Sequence, residues 1–276
     1  MAARFVAGDT LAETLAVGRR INSQGIAATF DHLGENVTTL AEATAARDVY
    51  LGVLEEIAAA GIRANVSIKL THFGMDQSEE ACRENLEALA ASAARHGNFV
   101  RVDMESSAYT GRTLALVREM HARHGSVGTV IQAYLYRSRS DLEDLCARKI
   151  RVRLCKGAYL EPHTVAFPRK SEVDRNFVAL MELLLTRGEY PAIATHDEKM
   201  IESTRRFARE RGVPAEHFEF QMLYGIRRDL QQRLVAEGYR LRLYVPFGRA
   251  WYPYFMRRLA ERPANLLFLA RNLLRR

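Results

Sequence analysis

Eight short apolar segments alternate with longer amphipathic segments along the 276 residues of the chain. Short apolar runs bounded by turn residues favour buried strands, whereas apolar residues spaced three and four apart favour helices. Alternation of the two is typical of a parallel sheet whose strands are connected by helices. The predicted strands cover residues 27–30, 65–70, 99–104, 129–134, 150–156, 192–195, 218–222 and 240–245.

Helices are predicted before the first strand and after every strand. They cover residues 10–23, 39–60, 78–96, 110–124, 140–148, 171–187, 199–211 and 227–237, and a last helix begins near Trp251. Eight strand–helix units favour a closed (β/α)8 barrel, which commonly takes about 250 residues, over an open doubly wound sheet. No Gly-x-Gly-x-x-Gly follows the first strand, so a Rossmann dinucleotide domain is unsupported. Composition does not change along the chain, and we expect one domain over residues 1–276, with helix 10–23 preceding the barrel.

Several predicted strands alternate polar and apolar residues, although strands of parallel sheets usually read as continuous runs of Val, Ile and Leu. In the third strand, Arg101 and Asp103 share one face and Val100 and Val102 share the other. The corresponding polar residues of the other strands are Ser67, Lys69, Arg151, Arg153, Glu219, Gln221, Arg240, Arg242 and Tyr244. Since the apolar face must pack on the helices, we expect the polar face to line the barrel, where charges must pair or hold a polar ligand. A solvated antiparallel sheet would alternate in the same way, but the strand–helix rhythm disfavours it.

Polar residues also gather where the predicted strands end, and in a barrel of this kind the active site lies at the carboxyl ends of the strands. The residues at or near those ends are Lys69, Asp103, Gln132, Arg153 to Lys156, Thr195, His196, Gln221 and Tyr244. This set predicts a large polar pocket rimmed by cations, which suits an anionic cofactor together with a small anionic substrate.

The formal net charge of +7 does not by itself indicate a nucleic-acid partner. Basic residues are spread along the chain and no recognised nucleic-acid motif is present, so we expect no nucleic-acid binding. The predicted last helix is more basic than the rest of the chain, because the segment from Arg257 onward contains six arginines and a single acid, Glu261. That end could touch an anionic ligand or an anionic membrane surface.

Cysteine usage and hydropathy favour a soluble cytoplasmic protein. Cys82, Cys146 and Cys155 show neither metal-ligand spacing nor a disulfide framework, and we expect no metal. No apolar run approaches the ~20 residues that a membrane span needs. No basic segment followed by an apolar stretch opens the chain, so a signal peptide is not predicted.

Six segments, in order along the chain, resemble motifs of the proline dehydrogenase family. One of them, Arg-Leu-Cys-Lys-Gly-Ala-Tyr, is similar to the Arg-x-x-Lys-Gly-Ala-Tyr segment of that family. The six are Ser67–Leu70, Asp103–Met104, Arg153–Tyr159, Ala194–Asp197, Phe218–Gly225 and Arg257–Asn265. The likeness extends from about residue 5 to the end of the chain. It covers monofunctional bacterial members and the corresponding domain of bifunctional proline-utilisation proteins.

The resemblance implies a distorted (β/α)8 barrel, of the TIM-barrel class, whose last helix lies over the carboxyl ends of the strands. It implies FAD as cofactor and oxidation of L-proline to 1-pyrroline-5-carboxylate, the first step of proline catabolism. Electrons would pass to a membrane quinone, which adds an expected peripheral contact with the inner face of the membrane.

The resemblance also implies residue roles. Arg257 and Arg258 would bind the proline carboxylate, with Lys69 as a third cation, and guanidinium groups suit carboxylates because they form paired hydrogen bonds. The pyrrolidine ring would be enclosed by Tyr159, Leu223 and Tyr244. The catalytic pair would be Asp103, which orients the site, and Arg153, which would lie near flavin N5. The residues expected to bind FAD are Met104, Gln132, Arg153, Lys156, Gly157, Ala158, Thr195, His196, Gln221 and Glu261.

Two other functions remain open from the residues alone. A Schiff-base aldolase on the same fold would use Lys69 or Lys156 as its nucleophile. A non-catalytic basic binding protein would show salt-sensitive affinity for nucleic acid or anionic vesicles, without turnover.

Overall fold

The computed structural model describes residues 5–34 and 37–250. Its eight strands pair in chain order, all of them parallel, and β8 pairs with β1 to close a barrel. The strands are β1 Ala27–His32, β2 Ala64–Ile68, β3 Val100–Val102, β4 Val127–Gln132, β5 Val152–Cys155, β6 Ala192–Ala194, β7 Glu219–Leu223 and β8 Leu241–Phe247.

One helix precedes the barrel, and a helix connects each strand to the next. The helices are α1 Leu11–Ser23, α2 Leu40–Ala59, α3 Glu79–Arg95, α4 Ser107–His124, α5 Ser138–Ala147, α6 Lys170–Arg187, α7 Glu198–Arg211 and α8 Arg228–Ala236, with a short 3-10 helix at Ala215–His217. The prediction of a (β/α)8 barrel is confirmed. The predicted last helix from Trp251, and its position over the strand ends, lie outside the described residues.

Local sequence signals fix where the first two helices begin. The hydroxyl of Thr10 accepts a hydrogen bond from the Glu13 amide at 3.3 Å, and the Glu13 carboxylate accepts one from the Thr10 amide at 2.9 Å. Thr39 and Glu42 form the same reciprocal pair at the start of α2. Such capping boxes satisfy amide groups that have no partner inside the helix, so both helices begin at defined residues.

Apolar strand residues face the helices and form the core. Val66 and Ile68 of β2 are fully buried, and they belong to the same cluster as Leu54 of α2 and Leu86 of α3. Burial of this face fixes the register of the sheet, because a slip by one residue would turn every polar side chain outward. None of the described helices is long and apolar enough to cross a bilayer.

Polar residues on the other face reach across the barrel interior. Arg153 of β5 donates hydrogen bonds to Asp103, which follows β3, and to Gln221 of β7. These strands are not neighbours in the sheet, so the contacts pass through the interior and confirm the predicted polar bore. The prediction is wrong for Arg151 and Arg240. They precede β5 and β8, and they are exposed at the amino end of the barrel because the interior begins one residue pair later.

Candidate active site

A cavity of about 310 Å3 opens at the carboxyl ends of the strands. Every predicted site residue that the structure describes lies in its wall: Lys69, Asp103, Met104, Gln132, Arg153, Lys156, Gly157, Ala158, Tyr159, Thr195, His196, Gln221, Leu223 and Tyr244. Four further residues of the wall, to which the sequence assigned no role in the site, are Val130, Cys155, Ala194 and Met222. Predicted site residues Arg257, Arg258 and Glu261 lie outside the described residues.

Asp103 accepts hydrogen bonds from three side chains in the cavity. Its Oδ1 accepts hydrogen bonds from Arg153 Nη1 at 2.7 Å and from the Ser67 hydroxyl at 2.6 Å, and its Oδ2 accepts one from the Tyr244 hydroxyl at 2.8 Å. Burial by itself raises the pKa of Asp103, but the charges of Arg153 and Lys69 outweigh it, and the net pKa is lowered. The carboxylate is therefore ionised at neutral pH and fixes three side chains around it.

Arg153 links Asp103 to the opposite side of the barrel. Its Nε donates to Oε1 of Gln221 at 2.5 Å, and its guanidinium lies 5.2 Å from the centre of the Tyr244 ring. Its Nη2 is buried and makes no hydrogen bond to any residue that the structure describes. Because buried donors in proteins are nearly always paired, this atom is suited to donate to a bound molecule.

Lys69 pairs with a residue that sequence reasoning missed. Its Nζ lies 3.4 Å from Oδ2 of Asp31 on β1, and both side chains are buried. The resemblance to the family also implies that Asp103 pairs with Lys69 or accepts a hydrogen bond from Tyr244; the Tyr244 hydroxyl donates to it directly, while Lys69 forms an ion pair with Asp31. The signal for Asp31 was present, because Thr29 and Asp31 alternate with Ala28 and Phe30 as in the other strands.

The segment after β5 forms one side wall. The ammonium group of Lys156 contacts the carboxylates of Asp174 and Asp197, the latter at 2.7 Å. Gly157 has φ +122°, and a Cβ there would lie 2.3 Å from the Tyr134 ring. The Ala158 amide donates to Oε1 of Gln132 at 3.2 Å. These contacts hold the wall against β4, α6 and the loop after β6.

His196 is held by the strand next to its own. Its Nε2 accepts a hydrogen bond from the Leu223 amide at 2.9 Å. An amide can only donate, so this ring is the neutral tautomer with its proton on Nδ1. Beside it, the Thr195 hydroxyl accepts from the Asp197 amide at 3.1 Å, so that α7 begins against the cavity wall.

Comparison with known families gives a match over most of the chain. The family model described as proline dehydrogenase matches residues 14–271. The chain belongs to the proline dehydrogenase family. The resemblance seen in the six motifs is thereby confirmed, and the family's barrel agrees with the closed parallel barrel described above.

Curated relatives agree with this membership. The chain is 42% identical over 275 residues to proline dehydrogenase 1 of Bacillus subtilis strain 168, covering 100% of this chain and 91% of the relative. It is 43% identical over 282 residues to proline dehydrogenase of Deinococcus radiodurans, covering 100% and 90%. It is 29% identical over 317 residues to bifunctional protein PutA of Escherichia coli K12, of which it covers only 24%.

Solved structures share the same barrel. Proline utilization A from Bdellovibrio bacteriovorus, inactivated by N-propargylglycine, superposes with a TM-score of 0.87 at 27% identity over 94% of this chain. A D779W mutant of the Bradyrhizobium japonicum protein gives 0.80 at 25% identity. The chain spans 32% and 30% of those longer chains, respectively.

Nothing in the local sequence indicated that the carboxylates of Asp174 and Asp197 would pair with Lys156. Asp174 lies on the polar surface of α6, 18 residues after Lys156, where an acid is ordinary. Asp197 belongs to the Ala-Thr-His-Asp motif but was not predicted to contact a cation. Both meet Lys156 only because β5 and β6 are neighbours in the sheet.

Proposed function

We propose that this proline dehydrogenase family member oxidises L-proline to 1-pyrroline-5-carboxylate with FAD, and that a membrane quinone accepts the electrons. FAD, when bound, supplies the hydride acceptor that amino-acid side chains do not provide. The proposal depends chiefly on Arg153, whose buried Nη2 has no partner among residues 5–34 and 37–250 and belongs to a residue of the cavity wall.

The cavity wall fits a flavin in two respects. A flavin ring carries nitrogen and oxygen acceptors along one edge, and Nη2 of Arg153 is a donor in need of an acceptor. The ring also needs apolar surface, which Met104, Met222 and Leu223 provide in the same wall. We propose that FAD is held by Met104, Gln132, Arg153, Lys156, Gly157, Ala158, Thr195, His196, Gln221 and Glu261.

Proline would lie beside Asp103. Tyr244 donates its hydroxyl proton to Asp103, so the ring has a fixed orientation in the wall, and Tyr159 and Leu223 would enclose the rest of the pyrrolidine. Lys69 would attract the proline carboxylate, with Arg257 and Arg258 as the paired cations that bind it. Asp103 would act by holding Arg153 and Tyr244 in place.

The environment of Lys156 disfavours a Schiff-base aldolase. A nucleophilic amine must be uncharged, but the ammonium group of Lys156 contacts two carboxylates, Asp174 and Asp197. Lys69 also lies beside a carboxylate, that of Asp31. Both amines are therefore placed beside carboxylates rather than in the apolar or cationic surroundings that activate a lysine nucleophile.

Anaerobic addition of L-proline to the purified protein tests the function. The visible flavin absorbance should bleach, whereas D-proline should leave it unchanged.

Replacing Arg153 with Met should slow bleaching by about 100-fold or more while far-UV circular dichroism stays native, because one preorganised donor is lost. Exposed Arg206 on α7 provides the matched control, and Arg206→Gln should bleach like the wild type. A protein that binds FAD but is not bleached by L-proline would refute the proposal.

The substrate clamp is tested separately. Arg257→Met and Arg258→Met should each raise the KM for proline on the order of 30-fold, because a charge-assisted pair to the carboxylate is lost. The FAD content of both variants should equal that of the wild type. Unchanged kinetics in both variants would remove these arginines from the clamp.

A further inference from the structure

A second cavity, of about 470 Å3, opens at the amino end of the barrel, opposite the candidate active site. Its wall includes Asn65 at the start of β2, Phe99 before β3, Arg151 before β5 and Arg242 near the start of β8. The active-site proposal uses none of these residues.

The wall of this amino-end cavity is strongly cationic. Arg63, Arg101, Arg151 and Arg242 contribute to it, and Glu219 is the one acid among its described lining residues. Glu219 is already committed, because its Oε1 accepts from Arg242 Nε at 2.8 Å. The other three arginines make no ion pair with any described residue, so the cavity carries an uncompensated positive charge.

Arg101 is the buried member of this group, with only 3% of its surface exposed. Its Nη1 donates to the carbonyl oxygens of Thr129 at 2.9 Å and Arg151 at 2.7 Å. Its Nε is buried without a hydrogen-bond partner, and its Nη2 donates to no residue in the described part of the chain. Nε and Nη2 form the edge of a guanidinium that binds an oxyanion through two parallel hydrogen bonds.

Burying a cation without a counter-charge costs free energy, so the buried guanidinium of Arg101 indicates that a counter-charge binds there. Burial lowers its pKa well below the ordinary value, and the nearby charge of Arg153 lowers it further. A bound anion would relieve both effects. Asn98 and Ser126 also line the cavity, but their donors are used within the protein, Asn98 Nδ2 by the Ala64 carbonyl at 3.1 Å and the Ser126 hydroxyl by the Ala90 carbonyl at 2.8 Å, so the arginines are the groups that would hold the anion.

The two exposed arginines of the rim are not held by carboxylates: Arg63 donates from Nη2 to the Asn22 carbonyl oxygen at 3.0 Å, and Arg151 is oriented by aromatic rings. The guanidinium of Arg151 lies 5.3 Å from the centre of the Phe99 ring and 5.6 Å from that of Tyr190. The Phe99 ring also lies 4.8 Å from the guanidinium of Arg101. Stacking on aromatic faces restricts a guanidinium and leaves its N–H groups free to donate in the ring plane.

We infer that the amino-end cavity is a second ligand site that binds a multivalent oxyanion carrying phosphate or carboxylate groups. Arg101 is its buried anchor, and Arg63 and Arg151 are its rim cations. The site lies at the end of the barrel away from catalysis, and an anion that binds only the folded chain stabilises it by mass action. The inference does not depend on the proposed oxidation of proline.

Thermal unfolding of the full chain tests this site, followed by far-UV circular dichroism at constant ionic strength. Inorganic phosphate or citrate replaces chloride in separate titrations. When the anion concentration is ten times Kd, binding should raise the midpoint temperature of unfolding by about 3 °C. The shift should follow a saturation curve as the concentration increases. Saturation by phosphate alone assigns phosphate groups to the ligand, and saturation by citrate alone assigns carboxylates. No response to either anion beyond that to chloride would overturn the inference.

Variants at the rim decide where the anion binds. Arg63 and Arg151 are exposed, so the double variant Arg63→Gln, Arg151→Gln should fold, lose at least two thirds of the midpoint shift and keep the wild-type kinetics with proline. A control variant, Arg139→Gln and Arg206→Gln, removes two exposed arginines outside the wall and should keep the full shift. A full shift in the rim variant, or anion competition with proline, would place the anion elsewhere and overturn the inference. Equal loss of the shift in the control would show a general charge effect and also overturn it.

Discussion

At the scale of single residues, the site depends on a carboxylate that is buried but fully satisfied. Asp103 accepts hydrogen bonds from Arg153, Ser67 and Tyr244, and its side chain is 12% exposed. Removing one partner from a buried ion pair lowers the free energy of unfolding strongly, because the remaining charge stays buried without compensation. The charge of Asp103 and its hydrogen bonds can therefore be tested separately.

Asp103→Asn should lower the free energy of unfolding by about 3 kcal/mol, since it leaves the buried guanidinium of Arg153 without its counter-charge. Tyr244→Phe removes the hydrogen bond to the charged Asp103 and should cost about 2 kcal/mol. Urea unfolding at pH 7 measures both values. A smaller loss for Asp103→Asn than for Tyr244→Phe would contradict the view that charge, rather than hydrogen bonding, dominates at Asp103.

The sequence is sufficient to identify inward-facing residues but not their partners. A period of two placed Lys69, Asp103 and Gln221 on one face, and all three line the cavity. It could not show that Lys69 pairs with Asp31 across two adjacent strands, because the choice depends on strand stagger and side-chain length. Acids on helices, such as Asp174, are still harder to predict because most of them are solvated.

At the scale of elements, the segment that follows β5 depends on one glycine. Gly157 has a φ of +122°, which L side chains rarely adopt, and the Tyr134 ring fills the space that a Cβ would take. The resemblance to the family places Gly157 among the residues expected to bind FAD, where the lack of a side chain would let the backbone approach the cofactor. The contact with Tyr134 is a second reason why position 157 requires glycine, and it does not involve the cofactor.

Gly157→Ala should destabilise the protein by about 2 kcal/mol or displace the wall formed by residues 156–159, because backbone strain and a steric clash add together. The affinity for FAD should fall at least about tenfold in either case. Gly111, on the exposed face of α4, has no atom within 4 Å of the position that a Cβ would take, and Gly111→Ala should stabilise by up to about 1 kcal/mol. Urea unfolding and flavin titration measure these effects. Equal behaviour of the two variants would show that Gly157 has no special role.

Element types were predictable, whereas some element ends were not. Strand bounds agree with the prediction within two residues, but β1 continues to His32, past the predicted end at Phe30. The predicted strand left out two polar residues at its end, Asp31 and His32. They remain in the strand because Asp31 faces Lys69 inside the barrel and because β1 stays paired with β8 as far as Phe247.

At the scale of the whole molecule, a chain of hydrogen bonds connects the two cavities. Arg153 Nε donates to Gln221, whose amide donates to Glu219 at 2.5 Å. Glu219 in turn accepts from Arg242, which reaches the carbonyl oxygen of Ala28 at 2.7 Å. Hydrogen bonds thus connect the charged groups at the two ends of the barrel interior through the neutral amide of Gln221, and the carboxylates among them should govern how the fold responds to acid.

Folding lowers the pKa of Asp103 and that of Glu219. For Glu219, burial opposes this shift, but the charge of Arg242 and its hydrogen bond outweigh burial. A carboxyl group with a lowered folded-state pKa contributes stability above its ordinary pKa, here 3.8 and 4.5, and loses that contribution as the pH falls through the folded value. The free energy of unfolding should therefore be insensitive to these groups from pH 8 to about 5.5 and decline steeply below about 4.5.

The share of Glu219 in this decline can be isolated. Glu219→Gln should be less stable than the wild type at pH 7, because Arg242 loses its counter-charge, yet its stability should fall less between pH 5 and pH 3. Each pKa unit of the lost shift corresponds to about 1.4 kcal/mol, so the two stability curves should converge on acidification. Urea unfolding at fixed ionic strength measures both curves. Parallel curves would mean that Glu219 does not carry a lowered pKa, and that the interior network stabilises the barrel by packing rather than by charge.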